Sequence, residues 1–421
     1  MSFSRRQFLS LSAGALVVVP HRAAAAGTKK APFRCGAGIH NMMNWGILQE
    51  GSNDRYLARP FETPRNAVSE TLLSELAKTG FDFIRLSLDV GPFMQLQGVD
   101  RTALEKKLVG HIERMHALGL DVLVDCHPVE QVPLYAPQSI LSDLEGPLFD
   151  EYKKMIMRLT ALLAQMGSTG FVALELMNEP LLDNARHRTQ VMVWGAAQLA
   201  LHDAARRVSS DLPLMLTGAH YGGISGLNDL DPSPYSGSDV FYSYHYYMPL
   251  SFTHQGMDFG NPDAPAAAYV SDLPYPYDAV PPDEISAALK QRIEQARLDA
   301  PAKEAAHRHA QTILKGFLAD GWNRSRIEDD FAIVAKWADR NGIAPERIVM
   351  GEFGVTRRSD KMTGAAEKDR RRWMRDVTQA AVARGFGWSV WDLNSYQMGI
   401  CLADDENRLD HELISELVMS G

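Results

Sequence analysis

Short apolar runs alternate with amphipathic stretches along most of the chain, the pattern of repeated strand-then-helix units around a parallel sheet. The runs predict strands over 81–88, 120–126, 171–177, 212–217, 240–245, 348–352 and 386–391, with one more near 34–39. Between them the spacing predicts helices over 69–78, 102–118, 148–166, 188–208, 327–340 and 366–383. In the second of these, Leu104, Leu108, Ile112 and Met115 recur at helical spacing and so share one face, while Thr102 and Glu105 stand as a capping box. Gly80, Gly119, Gly170, Gly342 and Gly385 fall where a helix should end and the next strand begin. Glycine suits a left-handed helix cap because it has no Cβ. Eight such units, with no glycine-rich nucleotide fingerprint after an early strand, predict a (β/α)8 TIM barrel over an open doubly wound sheet.

One interval breaks the rhythm. Between the strand ending at His245 and the strand starting at Ile348 lie Pro249, Pro262, Pro265, Pro274, Pro276, Pro281 and Pro282, then helical stretches near 284–298 and 303–319. The reading is an insertion between the sixth and seventh strands, about 249–325, lying over the active face. His307 and His309 fall on its charged stretch and are expected to be solvated.

Composition adds limits. The 421 residues contain no low-complexity linker, so one large domain over 27–421 is the simplest organisation. Ahead of it, Ser4-Arg5-Arg6-Gln7-Phe8-Leu9, an apolar stretch over 11–19 and Ala23-Ala24-Ala25-Ala26 read as an export signal over 1–26. Its arginine pair resembles the twin-arginine type, which implies the twin-arginine export machinery as a transient partner and a periplasmic or secreted product. Losing Arg5, Arg6 and Arg22 and no acid takes the net charge from −9 to −12. That disfavours nucleic acid as a partner, since phosphate binding wants a basic surface, and leaves a neutral polysaccharide acceptable. Cys35, Cys126 and Cys401 are too few for a disulfide framework.

Chemistry-bearing residues collect at the predicted strand ends, where a TIM barrel keeps its reactive groups. Arg85 lies near the end of the second strand, His127 follows the third, and Asn178-Glu179 follow the fourth. His245 and Tyr247 close the sixth, Glu352 the seventh and Trp391 the eighth. Two glutamates at one barrel mouth meet the need of glycoside hydrolysis, which takes one carboxyl group to protonate the leaving oxygen and one carboxylate across the anomeric carbon. Glu175 is read as a paired residue inside the barrel. His127 and His245 lack the close His/Asp/Glu spacing of a zinc site, so neither a metal nor another cofactor is expected.

Leu174-Glu175-Leu176-Met177-Asn178-Glu179-Pro180 and Gly351-Glu352-Phe353-Gly354 resemble the acid/base and nucleophile motifs of glycoside hydrolase family 5, the cellulase and mannanase family. Ile84-Arg85-Leu86, Asp125-Cys126-His127-Pro128, His245-Tyr246-Tyr247 and Ser389-Val390-Trp391-Asp392 extend the resemblance from about Gly36 to Asp392, outside the insertion. It implies a retaining mechanism with Glu179 as general acid then base and Glu352 as nucleophile. It also implies that Asn178 holds the sugar 2-hydroxyl, that Arg85 and Tyr247 bond Glu352, that His127 and His245 contact sugar or orient the glutamates, and that Trp391 floors the cleaved ring's subsite. Asn41 and Trp45 follow the first strand and are candidates for the sugar site, although Ile39-His40-Asn41-Met42-Met43-Asn44-Trp45 departs from the Asn-Leu-Gly-Asn pattern frequent in that family. Phe252, Phe259, Tyr269, Tyr275 and Tyr277 of the insertion are expected to pack on the barrel, with stacking on sugar rings as the alternative.

The commonest activity in that family implies an endo-β-1,4-glucanase, and a monomer is expected. The alternatives are a β-mannanase, an exo-acting β-glucosidase or transglycosylase, and a non-catalytic polysaccharide-binding protein.

Overall fold

Eight parallel strands close into a barrel: β1 (Cys35–Met43), β2 (Phe83–Leu88), β3 (Asp121–Cys126), β4 (Val172–Glu175), β5 (Leu214–Thr217), β6 (Val240–His245), β7 (Ile348–Phe353) and β8 (Gly387–Val390). Each pairs with its sequence neighbours, and β1 closes the ring against β8. The structure is a computed structural model that describes residues 32–182, 186–257, 269–359 and 362–418. The expected export signal and Phe259 lie outside the described residues.

The flanking helices include α1 (Glu70–Lys78), α2 (Gly98–Ala117), α3 (Pro147–Leu163), α4 (His187–Arg206), α5 (Pro282–Gln295), α6 (Ala300–Asp320), α7 (Arg324–Asn341) and α8 (Glu367–Val382). Leu104, Leu108, Ile112 and Met115 of α2 all join the core, as their spacing required. The capping box at Thr102 and Glu105 does not form. The helix starts earlier, at Gly98 after the N-cap Gln97, and the Thr102 hydroxyl inside it donates back to the Gly98 carbonyl. Gly80, Gly119, Gly342 and Gly385 do take left-handed backbone. Gly170 does not; a Cβ there would lie 2.5 Å from the His116 ring, so close packing is what requires glycine.

Because side chains alternate across a strand, the barrel interior is layered. Phe33, Phe83, Leu123, Ala173, Met215, Phe241 and Val349 fill the lower layer with apolar contacts. Two residues further along the same strands stand Arg85, Asp125, Glu175, Ser243 and Gly351. The interior thus turns polar toward the C-terminal ends of the strands, the face where a TIM barrel carries its site.

One irregularity positions the site. Tyr244 pairs with Met350 but His245 pairs with Glu352, and on the other side Trp388 pairs with Met350 but Val390 with Phe353. β7 therefore carries one extra residue relative to both neighbours, a bulge at Gly351 and Glu352. Bulges re-aim side chains, and this one sets Glu352 opposite His245.

The insertion begins against the loop after β7. Thr356 donates its N–H to the Thr253 carbonyl and its hydroxyl to the Gln255 carbonyl. Phe252 and Tyr275 are buried, and the Tyr275 hydroxyl donates to Asp376 on α8. These two rings are therefore used in packing. Further out, α5 and α6 pair through Leu289, Ile293, Ala310 and Leu314. His307 is half-buried there, 2.8 Å from Glu294, and not simply solvated. Cys35, Cys126 and Cys401 form no disulfide with one another.

Candidate active site

The site is organised around one buried guanidinium. Arg85 donates from Nε to Glu175 Oε2 at 2.8 Å, from Nη1 to Glu352 Oε1 at 2.7 Å and from Nη2 to Asn178 Oδ1 at 2.8 Å. Asp125 Oδ2 lies 3.1 Å from Nη2. Burying that charge would be costly if it stood alone; the surrounding carboxylates keep it ionised, raising its pKa well above the ordinary value despite burial.

Glu352 is almost enclosed, with a side chain 6% exposed. Its second oxygen accepts from the Tyr247 hydroxyl at 2.8 Å and lies 3.6 Å from His245 Nδ1. Burial pushes its pKa up, but His245, Arg85 and His127 together outweigh burial and hold it below the usual carboxylate range. This is a carboxylate kept charged. The Tyr247 hydroxyl moves the other way, well above its ordinary value, through burial and the adjacent Glu352 charge. It remains a donor.

Glu179 differs in setting. Its side chain is 30% exposed, and it is held by His245 Nδ1 at 2.9 Å. Its φ of 41° lies in the left-handed region, rare outside glycine and frequent at functional sites. The Asn178 N–H just before it donates to the Cys126 carbonyl at 2.7 Å, tying this turn to β3. One oxygen of each glutamate and one nitrogen of His245 fall within 4.8 Å of one another. A divalent cation would also fit that spacing, but Arg85 and Tyr247 already engage both oxygens of Glu352.

His127 donates its Nδ1–H to Asp125 Oδ2, 2.7 Å away, and its Nε2 lies 3.4 Å from Asn178 Nδ2. Burial lowers its pKa, and Asp125 more than reverses that. Its ring stacks on Trp391 with centroids 5.5 Å apart and planes 5° from parallel. Trp391, half-buried, follows β8, and its backbone N–H donates to the Phe353 carbonyl, one residue after Glu352, at 2.8 Å.

The structure thus brings Glu179, Glu352, Arg85, His127, Asn178, His245, Tyr247 and Trp391 together. Trp45 joins through a residue the sequence reading passed over: its indole N–H donates to His40 Nε2 at 2.8 Å, and His40 meets Trp391 edge-on at 4.7 Å. Burial, and next His127, push the His40 pKa down to about 3, so this ring is neutral. The backbone carbonyl of Asn41 accepts from the Asn66 side-chain amide at 2.8 Å. Asp125 was also missed, although its position two residues before His127 puts both on one face of β3. Glu175 is the buried paired residue expected, its pKa raised by burial.

Residues 58–397 match the cellulase family, glycosyl hydrolase family 5. Endoglucanase 3 of Fibrobacter succinogenes is 25% identical over 181 residues, 43% of this chain, and the match spans only 24% of that protein's length. Among solved structures, the family 5 xyloglucanase of Paenibacillus pabuli aligns with a TM-score of 0.65 at 14% identity, over 93% of this chain and 99% of that one. Cellulose synthase subunit Z of Clostridioides difficile aligns with a TM-score of 0.62 at 18% identity, over 92% of this chain and 99% of that one. At such identities the structural likeness concerns the fold.

Proposed function

The chain belongs to the cellulase family, glycosyl hydrolase family 5, and on that premise we propose that it is a retaining endo-β-1,4-glucanase. The observation that carries the mechanism is the approach of Glu179 and Glu352, whose nearest ligating oxygens lie within 4.8 Å. Retaining enzymes hold their carboxyl groups about 5–5.5 Å apart, whereas inverting enzymes leave about 6.5–9.5 Å for a water.

In this reading Glu352, held charged by Arg85, attacks the anomeric carbon and forms a glycosyl ester. Glu179, the more exposed of the two, protonates the departing oxygen, then takes a proton from the water that cleaves the ester. Asn178, fixed by Arg85 and close to His127, faces the sugar 2-hydroxyl, where hydrogen bonds tighten as oxocarbenium character develops. His245 spans both glutamates and orients them. Trp391 floors the cleaved ring, with His40 and Trp45 supporting its outer edge.

The endo assignment is supported by exposed aromatic residues on two sides of the mouth: Tyr221, 55% exposed, in the loop after β5, and Tyr396, 42% exposed, in the loop after β8. Sugar rings on either side of the cut could lie against them. The β-1,4-glucan assignment draws on the printed activity of the Fibrobacter relative. The export signal expected over 1–26 favours action in the periplasm or outside the cell, and we propose a monomer that needs no cofactor.

Release of reducing ends from a soluble cellulose derivative, compared with mannan and β-1,3-glucan, tests the substrate. The expected result is fastest release from the β-1,4-glucan with products of mixed length. Activity on mannan alone would overturn the glucanase assignment, and mono- or disaccharides as sole early products would overturn endo action.

A further inference from the structure

The loop after β5 holds three successive residues in the left-handed region: His220, Tyr221 and Gly222, with φ of 58°, 56° and 65°. Only the last is glycine, and L-residues visit that region singly and at a cost. The surroundings fix this shape. A Cβ at Gly218 would fall 2.1 Å from the Gly226 carbonyl carbon, and one at Gly226 would fall 1.8 Å from the Ala219 carbonyl oxygen, so the loop closes backbone against backbone. The Gly223 N–H donates to the His220 carbonyl at 3.0 Å, and the Gly222 carbonyl accepts from the His245 N–H at 2.9 Å. On the outer side the His220 ring stacks on His187, with centroids 4.1 Å apart and planes 8° from parallel. His187 in turn donates its Nε2–H to Asp229 Oδ2. Because His187 opens α4, the first long helix after Glu179, this clasp joins the connection that carries Glu179 to the loop after β5.

Backbone strain of this kind clusters where the residue it presents is used. The residue presented here is Tyr221, 55% exposed and next in the chain to the carbonyl that holds His245. Its side of the mouth follows from the order of strands. Trp391 after β8, and His40 and Trp45 from β1 and the turn beyond it, stand across the ring from β4 and β5. The ring that Glu352 attacks lies on Trp391, and Glu179 after β4 protonates the departing oxygen. The sugar that leaves with that oxygen therefore lies over the end of β5.

We propose that Tyr221 is the platform for the first sugar ring on the leaving side, and that His220, His187 and Asp229 are positioning residues that hold it there. The proposal rests on the roles assigned above to Glu179 and Glu352 and deepens the substrate reading: the enzyme selects a leaving group that presents the face of a sugar ring. A tyrosine on a tightly closed loop loses little freedom when a ring stacks on it, so the contact is spent on binding and not on ordering.

Two donors that share the transferred disaccharide test this in the full-length mature enzyme: cellotetraose, whose leaving group is a disaccharide, and β-cellobiosyl fluoride, whose leaving group has no ring. For each, kcat/KM reports the step in which the leaving group departs. In Tyr221→Ala the ratio of kcat/KM for cellotetraose to that for the fluoride should fall about tenfold, the scale of one lost aromatic contact. Tyr221→Trp, which keeps a flat ring, should hold the ratio near the wild-type value, and His187→Ala should lower it in the same direction as Tyr221→Ala. A ratio that stays at the wild-type value in Tyr221→Ala, whether both rates hold or both fall equally, would overturn the proposal and leave the glucanase reading standing. If the wild-type enzyme turns over neither donor, the glucanase reading falls and the platform falls with it.

Discussion

Replacing Arg85 with lysine keeps one positive charge and removes the planar fork that reaches Glu175, Asn178 and Glu352 at 2.7–2.8 Å. At an effective dielectric near 20, unit charges this close attract by about 6 kcal/mol, most of which desolvation offsets. What lysine loses is best scaled by the hydrogen bond itself: about 1.5–3 kcal/mol for a bond to a charged group. A lysine anchored at the same backbone position reaches Glu175 or Asp125 more readily than Glu352, so the Nη1–Glu352 bond is the one expected to go. That loss equals about one to two pH units on the Glu352 carboxyl. The sign follows from its role: Glu352 must be ionised to attack, and its pKa is depressed in the native enzyme, so activity is lost as pH falls through that depressed value. In Arg85→Lys the acidic limb of kcat/KM should therefore shift upward by about one to two pH units, measured on an activated aryl glycoside, with activity recovering toward neutral pH. Circular dichroism at each pH separates this from unfolding. An acidic limb that stays in place in a folded Arg85→Lys enzyme would refute the electrostatic role given to Arg85.

Other consequences are as direct. Glu352→Gln should abolish measurable turnover, because no glycosyl ester can form; steady-state assays showing wild-type-like rates would identify the wrong carboxylate. Glu179→Ala should slow substrates with poor leaving groups far more than activated ones, and azide should restore part of the rate on the latter as a glycosyl azide detectable by mass spectrometry. Asp89, buried and accepting N–H bonds from Gly46 and Gly91, has its pKa pushed up from 3.8 to about 6 by burial. A raised carboxyl stabilises the fold below its unfolded pKa and loses that contribution as pH rises through the folded one. Denaturant melts at pH 4 and pH 7 should thus show wild type losing about 2 kcal/mol relative to Asp89→Asn; parallel pH profiles would contradict this.

The barrel was legible because its units are regular. Eight apolar runs separated by amphipathic stretches mark strands and helices whose observed limits differ from the expected ones by only a few residues. Most of the site was legible for the same reason: a polar residue at the end of a strand stands out against an apolar run. What escaped the reading depends on details that short motifs do not carry. His40 was passed over in favour of Asn41, although Gly36, Gly38 and His40 share a face by simple alternation. Asp125 was passed over because its contribution runs through His127 and Arg85. The bulge at Gly351 cannot be read from one strand, since it exists only as a register difference against β6 and β8. The start of α2 was misplaced because Thr102 has a capping residue's identity but spends its hydroxyl inside the helix. Packing was the expected use of the insertion's aromatics, and Phe252 and Tyr275 are buried.

The central claim is that Glu352 attacks and Glu179 supplies and recovers the proton. Incubating the enzyme with a 2-deoxy-2-fluoro glycoside bearing an activated leaving group slows breakdown of the ester more than its formation. Digestion and tandem mass spectrometry then locate the sugar. The account predicts a single glycosylated peptide with the sugar on Glu352 and no label in Glu352→Gln. A label on Glu179, or an intact enzyme that releases the leaving group with no covalent adduct and inverted product, would contradict it.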